Sequence, residues 1–483
     1  MNKEISKTKA GRGNGCPLYK KCGGCQLQNM TYDEQLSFKQ AKCIRHLKRF
    51  GHVEEILGMA RPLHYRNKVQ AAFGVTRGGK IISGVYQSSS HNIVCVDDCM
   101  LEDETADKII VSIRALLPRF KLRPYDEDKG TGFLRHVLVR RGFATGEVMV
   151  VLVTPTALFP GKKEFLKQLL HLHPEITTVI QSVNGAKTSL VLGKQEITLF
   201  GKGHIEDILC GKRFRISARS FYQINPVQTE VLYGKAMEFA ALTGEETVLD
   251  AYCGIGTIGL VAADKAKQVI GVELNADAVR DAKQNAKRNG IANARFICAD
   301  AGKFMTEAAK AGDRADVVFM DPPRAGSDLP FLRALVTLAP KKIVYISCNV
   351  ETQARDLGFL VKNGYRVEKI QPVDMFPHTG HVETVVSLVR KNPDMYVDFK
   401  IDLDEQDLTA SEAHPTYEEI KAYIQKEYGV KVSSLYISQV KRKLGLEVGE
   451  SFNKPKSENA KQPQCPPDKE KIITAALVQY KMI

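Results

Sequence analysis

The sequence predicts an α/β protein whose C-terminal part is a doubly wound sheet, and three observations support this fold class. Between residues 247 and 389, short runs rich in β-branched residues alternate with helical patterns. A glycine-rich turn, Gly254-Ile255-Gly256, follows the first of these runs. Polar residues end several of the later runs, at the positions where open α/β sheets bind their ligands.

Length and charge limit the classes of protein to be considered. The chain has 483 residues, of which 43% are hydrophobic, and its net charge is +14. The residues from Lys391 onward sum to −1, so the first 390 residues carry +15. A basic excess of this size predicts a polyanionic partner, with nucleic acid as the first candidate, although a generally basic cytoplasmic protein would show the same charge.

The sequence lacks the signals of export and of membrane insertion. No apolar run approaches the 18 residues of a membrane span, and the Lys-rich N-terminus is not followed by the apolar segment of a signal peptide. We therefore expect a cytoplasmic protein with no membrane partner. Eleven cysteines in an unexported chain argue for metal binding or catalysis and against a disulfide framework.

The N-terminal region carries a cysteine array with the spacing C-x5-C-x2-C, formed by Cys16, Cys22 and Cys25. The glycines between Cys22 and Cys25 allow a tight turn, so that two thiolates can face one metal centre. A fourth ligand could come from Cys95 or Cys99. Four cysteines suit an iron–sulfur cluster or zinc, and the single clustered triplet favours the iron–sulfur cluster. A redox pair of the thioredoxin type is a weaker alternative, because no strand precedes Cys22.

Four regions follow from changes of pattern along the chain. Residues 1–59 form an N-terminal arm that holds the cysteine array and a helix. Residues 60–225 show short alternating strands with interspersed basic residues, which predict a central α+β domain. Within it, we expect one strand at Leu190–Leu192. Residues 226–391 hold the doubly wound domain, and residues 400–483 form a small, mostly helical C-terminal segment.

The first strand of the doubly wound domain leads into a turn with two possible interpretations. The segment from Asp250 to Gly259 contains the G-x-G-x-x-G pattern of dinucleotide-binding turns. Against a dinucleotide stands Asp250 itself, because its carboxylate would lie near the pyrophosphate. Asp-x-x-x-Gly-x-Gly is instead similar to the first motif of S-adenosylmethionine-dependent methyltransferases, whose cofactor has no phosphates. Glu273 ends the second strand and could accept hydrogen bonds from ribose hydroxyls in either case.

Two further carboxylates follow the third and fourth strands. Asp300 ends the third strand, where methyltransferases hold the adenine amino group. Asp321 ends the fourth strand and is followed by two prolines, which cannot donate hydrogen bonds and fix an extended turn that keeps Asp321 at the crevice. An aromatic residue after Asp-Pro-Pro would indicate methylation of an adenine amino group, but Arg324 stands there.

Cys348 lies between a strand and a helix. The apolar run 342–346 ends in Ser347-Cys348-Asn349, and a helical pattern follows. A cysteine at a strand end is more often a buried small hydrophobe. A thiol beside a helix N-terminus, however, has its thiolate favoured, and this strand end belongs to the predicted ligand crevice. Cys348 is therefore a candidate nucleophile.

Six motifs, taken in order, resemble those of the RNA 5-methyluridine methyltransferases, in particular the iron–sulfur-containing branch that acts on 23S ribosomal RNA. The resemblance covers roughly residues 16–390. The motifs are Cys16-x5-Cys22-Gly23-Gly24-Cys25, Ser220-Phe221-Tyr222-Gln223-Ile224-Asn225, Asp250-x-Tyr252-Cys253-Gly254-x-Gly256, Asp321-Pro322-Pro323-Arg324, Ser347-Cys348-Asn349 and His381-Val382-Glu383.

The resemblance implies a Rossmann-like S-adenosylmethionine-dependent methyltransferase domain, preceded by an α+β RNA-binding domain and a four-cysteine metal-cluster arm. Cys348 would be the nucleophile and Glu383 the base. The cofactor contacts would be Gln223, Tyr252, Glu273, Asp300 and Asp321, and the ligands of a [4Fe-4S] cluster would be Cys16, Cys22, Cys25 and Cys99. Cys99 is preferred over Cys95 because Val-Asp-Asp-Cys before a helix is similar to the family's fourth-ligand context.

The resemblance also implies a function, which is C5-methylation of a specific uridine in 23S ribosomal RNA. The reaction would pass through a covalent adduct between Cys348 and carbon 6 of a flipped uracil, and the protein would be a cytoplasmic monomer. The same chemistry on transfer RNA is one alternative, which the cysteine array disfavours because the usual bacterial transfer RNA branch lacks it. A non-catalytic RNA-binding protein on this fold is the other, and the intact Cys348 and Glu383 disfavour it.

Overall fold

The computed structural model describes residues 15–87, 90, 92–188, 190–391, 417–444 and 464–479. The chain divides into two compact units, of which the first ends at Met395 and the second begins at Tyr396. In the described part of the chain, no helix is both long and apolar enough to cross a lipid bilayer.

The N-terminal arm contains a short helix, α1 (Tyr19–Cys22), and a longer one, α2 (Tyr32–Leu47). Helix α2 begins with a capping box. The Thr31 hydroxyl accepts a hydrogen bond from the Glu34 N–H (3.3 Å), and the Glu34 carboxylate accepts one from the Thr31 N–H (2.8 Å). This exchange satisfies two backbone donors that a helix start would otherwise leave free.

The central region forms a seven-stranded sheet of mostly antiparallel strands, with the order β3-β2-β1-β4-β5-β6-β7. The strands are β1 (Lys68–Val75), β2 (Ile81–Tyr86), β3 (Ile93–Cys95), β4 (His136–Arg141), β5 (Val148–Thr154), β6 (Ile176–Val183) and β7 (Gln195–Phe200). Helices α3 (Glu104–Arg119) and α4 (Lys162–Leu172) share an apolar core with this sheet. The central region is therefore α+β, as predicted.

The strand expected at Leu190–Leu192 is a wrong prediction. The described residues there form a turn between β6 and β7, and Leu190 is 71% exposed. The Asn184 side chain donates hydrogen bonds to the carbonyls of Leu190 (2.7 Å) and Val191 (3.0 Å), which holds the turn closed. Three apolar residues in sequence were not sufficient for a strand, because no backbone among the described residues pairs with them as a ladder.

The second sheet also has seven strands, in the order β12-β11-β10-β13-β14-β16-β15. Its strands are β10 (Thr247–Ala251), β11 (Gln268–Glu273), β12 (Ala294–Cys298), β13 (Val317–Met320), β14 (Lys342–Ser347), β15 (Tyr365–Val373) and β16 (Glu383–Arg390). A separate hairpin, β8 (Ile205–Leu209) with β9 (Lys212–Ile216), precedes it in the chain. The helices of this part are α5 (Pro226–Ala240), α6 (Thr257–Ala262), α7 (Ala276–Arg288), α8 (Ala301–Lys310), α9 (Leu329–Leu338) and α10 (Val350–Lys362).

Strands β10 to β14 are parallel, and β16 runs antiparallel to β14. Because β11 lies on one side of β10 and β13 on the other, the strand order reverses between β10 and β13. Ligands bind at such a switch point, outside the carboxyl ends of the strands. The doubly wound α/β fold predicted from the sequence is confirmed, whereas the four domain boundaries stay predictions.

The second unit is described over three helices, α11 (Tyr417–Tyr428), α12 (Ser434–Lys443) and α13 (Pro467–Gln479). They have a core of their own, made of Ile420, Ile424, Ile437, Val440, Ile473, Ala476 and Leu477. The described part of the predicted segment 400–483 is thus helical, and its other residues lie outside the described ones.

We expect a chain that ends at Pro393 to fold and to bind S-adenosylmethionine as tightly as the full chain does, because each unit has its own core. Thermal unfolding followed by circular dichroism and a calorimetric cofactor titration measure the two properties. Loss of a cooperative unfolding transition in the shortened chain would show that residues beyond 393 belong to the first core.

Candidate active site

Cys348 lies in a tight turn at the end of β14. The Asn349 side-chain oxygen accepts a hydrogen bond from the Glu351 N–H (3.0 Å), which caps α10. The Asn349 N–H donates to the Ser347 hydroxyl (3.1 Å). Both bonds are local, so the short segment from Ser347 to Glu351 is sufficient to form the turn that was predicted around Cys348.

Glu383 is brought to Cys348 by strand pairing. It is the first residue of β16, which pairs with β14 so that Thr384 lies opposite Ser347. In this register, the next position sets Glu383 opposite Cys348. Residues that face each other in an antiparallel pair have Cβ atoms about 5 Å apart, so one small ligand can touch both side chains.

The turn after β13 adds Asp321 and Arg324. Asp321 directly follows β13, which is the parallel neighbour of β14. The Arg324 carbonyl accepts hydrogen bonds from the Asn349 side chain (3.2 Å) and from the Thr352 hydroxyl (3.2 Å). The Asp-Pro-Pro-Arg turn is therefore bound to the start of α10, beside Cys348.

Burial and like charges raise the pKa values of this group. Burial raises the pKa of Asp321 to about 7. Burial and the neighbouring Asp321 raise the pKa of Glu383 well above its usual range. Burial raises the pKa of Cys348 to about 11, with help from Glu383 and Asp321, while Arg324 opposes the rise. Burial and the two carboxylates therefore oppose the thiolate of Cys348, and the expected help from the helix N-terminus stays a prediction.

Arg324 is a site residue to which the sequence analysis gave no role. Its guanidinium lowers the pKa of both Cys348 and Glu383. The signal available in the sequence was its place, because Arg324 follows two prolines at a strand end of the predicted ligand crevice. It was used only to set aside methylation of adenine.

Asp250 holds the glycine-rich turn from inside. It is completely buried, and its Oδ2 accepts a hydrogen bond from the Gly259 N–H (2.8 Å). Its Oδ1 has no hydrogen-bond partner among the described residues, and burial raises its pKa to about 7. A pyrophosphate would need the N–H groups at the start of α6, and Asp250 already occupies one of them. This contact argues further against a dinucleotide.

The backbone of the same turn adopts left-handed conformations, with φ of 65° at Tyr252, 53° at Gly254 and 83° at Gly256. A Cβ on Gly256 would lie 2.9 Å from the Phe296 ring, so only glycine fits there. Tyr252 is the one non-glycine residue of the three, and its ring packs on Phe331 at 4.9 Å between centroids. A bulky residue in this conformation is strained, as is frequent in ligand sites.

Glu273 bridges the end of β11 and the glycine-rich turn. Its two oxygens accept hydrogen bonds from the N–H groups of Asn275 (2.8 Å) and Gly254 (3.1 Å). Each carboxylate oxygen keeps a further lone pair for a ligand hydroxyl. A cavity of about 480 Å³, which is within the usual range for small-molecule sites, is lined by Glu273, Gly254, Asn275 and Phe221 among others.

The remaining predicted cofactor residues have structural partners as well. Asp300 is exposed and caps α8, where its Oδ1 accepts a hydrogen bond from the Lys303 N–H (2.9 Å). The Gln223 carbonyl accepts a hydrogen bond from the Asn67 side chain (3.0 Å). Within the described residues, the Gln223 side-chain amide has no hydrogen-bond partner. With the cavity and the spare lone pairs of Glu273, these groups fit a nucleoside-containing cofactor such as S-adenosylmethionine.

The four cysteines of the predicted cluster do not form a ready-made metal site. Over the described residues, no group of three or more His, Cys, Asp or Glu side chains is arranged to hold a metal ion. Cys25 and Cys99 nevertheless pack against one small apolar cluster. Burial raises the pKa of Cys25 to about 11, and the charges of nearby Cys22 and Cys16 contribute to this rise. Four cysteine thiols are suitable ligands for an iron–sulfur cluster, but the four side chains are not arranged around a common point in the described residues.

Cys95 has different neighbours. Its sulfur lies 3.6 Å from Asp97 Oδ1 and accepts a hydrogen bond from Arg114 Nη1 (3.4 Å). Arg114 also forms an ion pair with Asp97 at 2.6 Å. A thiol engaged with this pair is less suited to join Cys25 than Cys99 is.

Comparisons with known proteins agree with this fold. The profile of the family described as tRNA (Uracil-5-)-methyltransferase matches residues 31–391. Two relatives described as uncharacterized RNA methyltransferases are similar over most of the chain. That of Clostridium tetani is 47% identical, covering 77% of this chain and 81% of its own length. That of Halalkalibacterium halodurans is 46% identical, covering 78% and 83%.

Among solved structures, the chain resembles the tRNA (uracil-54, C5)-methyltransferase of Pyrococcus abyssi in complex with S-adenosyl-L-homocysteine. The TM-score is 0.63 and the identity 31%, covering 76% of this chain and 86% of that chain. The fold and the site thus define a Rossmann-like, S-adenosylmethionine-dependent methyltransferase. The chain belongs to the tRNA (uracil-5-)-methyltransferase family of RNA-modifying enzymes, as its motifs predicted.

At pH 8, we expect iodoacetamide to alkylate Cys348 about a hundredfold more slowly in the folded protein than in urea, because the pKa of about 11 leaves little thiolate. Peptide-resolved mass spectrometry measures the rate, with the exposed Cys298 as the accessible reference. Arg324→Gln removes a positive charge and should slow the labelling further, whereas Glu383→Gln should accelerate it. Shifts in the opposite directions would contradict the assigned electrostatics.

Proposed function

We propose that the protein methylates carbon 5 of a specific uridine in 23S ribosomal RNA, through a covalent intermediate with Cys348, as a cytoplasmic monomer. The observation that carries this proposal is the register of β14 with β16, in which Cys348 and Glu383 are the next residues beyond the paired Ser347 and Thr384. A nucleophile and a base that face the same ligand are the two groups that this chemistry requires.

Carbon 5 of uracil is too weakly nucleophilic to take a methyl group unaided. In the proposed reaction, Cys348 Sγ bonds to carbon 6, and the displaced electron pair makes an enolate that is nucleophilic at carbon 5. The cofactor supplies the methyl group on a cationic sulfonium, whose charge would also favour the Cys348 thiolate. Glu383 then takes the proton from carbon 5, and the electrons of that bond expel the thiolate and restore the ring.

The electrostatics of the site support these roles. A general base works best when its pKa lies near the pH of the reaction, and the pKa of Glu383 is raised from its usual range in that direction. Arg324 lies where its charge favours the anionic forms of Cys348 and Glu383. We propose that it limits how far burial suppresses the thiolate.

The proposed cofactor contacts are spread over four turns at the carboxyl edge of the second sheet and the segment before α5. The residues are Gln223, Tyr252, Glu273, Asp300 and Asp321. Three features support this assignment. The side-chain amide of Gln223 has no partner among the residues that the structure describes, Glu273 keeps spare lone pairs, and Tyr252 has a strained backbone.

The choice of ribosomal RNA rests on the cysteine array, which resembles that of the ribosomal RNA branch. The similarity to the Pyrococcus abyssi transfer RNA enzyme is an equally strong argument for transfer RNA as the substrate. In either RNA the target base must leave its stack, which costs a few kcal/mol and least in loops. Mapping 5-methyluridine in both RNA classes from a deletion strain decides between them, and loss from transfer RNA alone would refute the ribosomal proposal.

We expect Glu383→Gln to accumulate a protein–RNA adduct that carries the methyl group, because attack and transfer need only Cys348 and the cofactor. Gln keeps the side-chain volume but is a much weaker base. Denaturing gels with cofactor labelled in the methyl group detect the adduct. Cys348→Ala should give neither product nor adduct.

Asp321→Asn is the matched carboxylate control for this experiment. It should weaken cofactor binding without trapping an adduct, because Asp321 is proposed to contact the cofactor. Normal turnover by Glu383→Gln together with an adduct from Asp321→Asn would assign the base to Asp321.

We also propose that Cys16, Cys22, Cys25 and Cys99 bind a [4Fe-4S] cluster. Protein purified without oxygen should be brown and contain about four irons per chain. Cys99→Ser should lose the iron, whereas Cys95→Ser, whose thiol lies beside Arg114 and Asp97, should keep it. A colourless protein with one zinc would exclude the iron–sulfur cluster, and iron loss in Cys95→Ser alone would make Cys95 the fourth ligand.

A further inference from the structure

Residues 374–382, which we call the base loop, connect β15 to β16. Glu383, the first residue of β16, follows the loop directly. The half of this loop that is remote from Glu383 is held by α5 and the residue before it. Gln228 donates to the Asp374 carbonyl (3.0 Å), and Asn225 donates to the Met375 carbonyl (3.0 Å). The N-terminal arm contacts both halves of the loop, and the Tyr65 hydroxyl of the central region donates to the Pro377 carbonyl (3.0 Å).

Helix α2 contacts the base loop through a buried ion pair. Lys39 Nζ lies 2.5 Å from Asp374 Oδ1, and both side chains are completely buried. Lys39 also donates to the Phe376 carbonyl (2.9 Å), and the Tyr32 hydroxyl donates to Asp374 Oδ2 (2.9 Å). Such a pair costs desolvation energy, and apolar side chains of similar volume often stabilise a protein as well or better. We therefore look for the contribution of the Lys39–Asp374 pair in the position that it gives to the base loop.

Gln35, one turn before Lys39, holds the middle of the base loop. Its Oε1 accepts a hydrogen bond from the His378 N–H (2.8 Å), and its Nε2 lies 3.2 Å from His378 Nδ1. His378 has φ of 67°, a conformation that is unfavourable for a residue with a Cβ. Without these contacts, the backbone at His378 can relax to a commoner conformation and carry the following residues with it.

The residues directly after the cysteine array complete the contact. The Leu27 N–H donates to the His378 carbonyl (3.0 Å), and Gln26 Oε1 accepts a hydrogen bond from the Gly380 N–H (3.2 Å). Cys25 is the neighbour of Gln26 in the chain. Gln26 therefore connects the cysteine array to the base loop, because it follows Cys25 in the chain and is hydrogen-bonded to Gly380.

We propose that the N-terminal arm positions the catalytic base, with Gln35 and Lys39 as positioning residues that set the base loop and so control the proton-abstraction step. This inference rests on the proposed function and assigns the arm a role in one step of it. A displacement of about 1 Å at a reacting group can slow a step by about a hundredfold. Attack by Cys348 and methyl transfer do not use Glu383 and would be spared.

The test compares Gln35→Ala with Gln40→Ala. Gln40 lies on the same helix and also makes two hydrogen bonds, to the Glu54 carbonyl (3.1 Å) and the Ile56 N–H (2.8 Å), but none to the base loop. In single-turnover reactions with labelled cofactor, Gln35→Ala should accumulate the methylated adduct and release product tenfold to a hundredfold more slowly. Gln40→Ala should release product at the normal rate.

Amide hydrogen exchange provides a readout that does not depend on activity. In Gln35→Ala, the amide of His378 should exchange faster, and in Gln40→Ala it should not. Lys39→Met, if it folds, should trap the adduct as Gln35→Ala does. Equal adduct fractions in Gln35→Ala, Gln40→Ala and the unaltered protein would overturn the inference. Absence of an adduct even in Glu383→Gln would instead refute the proposed function.

Discussion

The antiparallel pairing of β16 with β14 is the constraint on which the active site depends. The strands from β10 to β14 are parallel, so each of them brings only the residues after its carboxyl end to the ligand crevice. Because β16 runs the other way, its first residue reaches the same edge. Glu383 can therefore face Cys348, and a parallel strand at this place would have turned its amino end away from the crevice.

This arrangement brings buried Glu383 close to the half-buried Asp321 and Cys348. Asp321, Glu383 and Cys348 lie at the ends of three adjacent strands, and the charge of Asp321 helps to raise the pKa of both Glu383 and Cys348. The raised pKa values mean that the anionic forms of these groups are destabilised in the folded protein. Such shifts are typical of sites that transfer protons. Arg324 is the compensating charge, and it stands on a turn that the start of α10 holds in place through Asn349 and Thr352.

The glycine-rich turn shows how one residue can support both fold and ligand selection. The buried carboxylate of Asp250 accepts a hydrogen bond from the Gly259 N–H. This contact stabilises the turn, and it also occupies a donor that a phosphate would need. Glu273 connects the turn to the next strand with both of its oxygens. The cavity beside them is lined by Gly254 and Glu273 together with charged side chains such as Arg215, Arg219 and Asp281.

The sequence by itself determined the features that depend on neighbours along the chain. These are the doubly wound pattern, the turn at Cys348 and the glycines after β10, because periodicity, caps and left-handed turns are encoded within a few residues. Only the tertiary structure shows that burial and carboxylates raise the pKa of Cys348, that Arg324 opposes this rise, and that Leu190 lies outside any strand. Desolvation, charge interaction and strand pairing depend on groups that are distant in sequence, so no local pattern could report them.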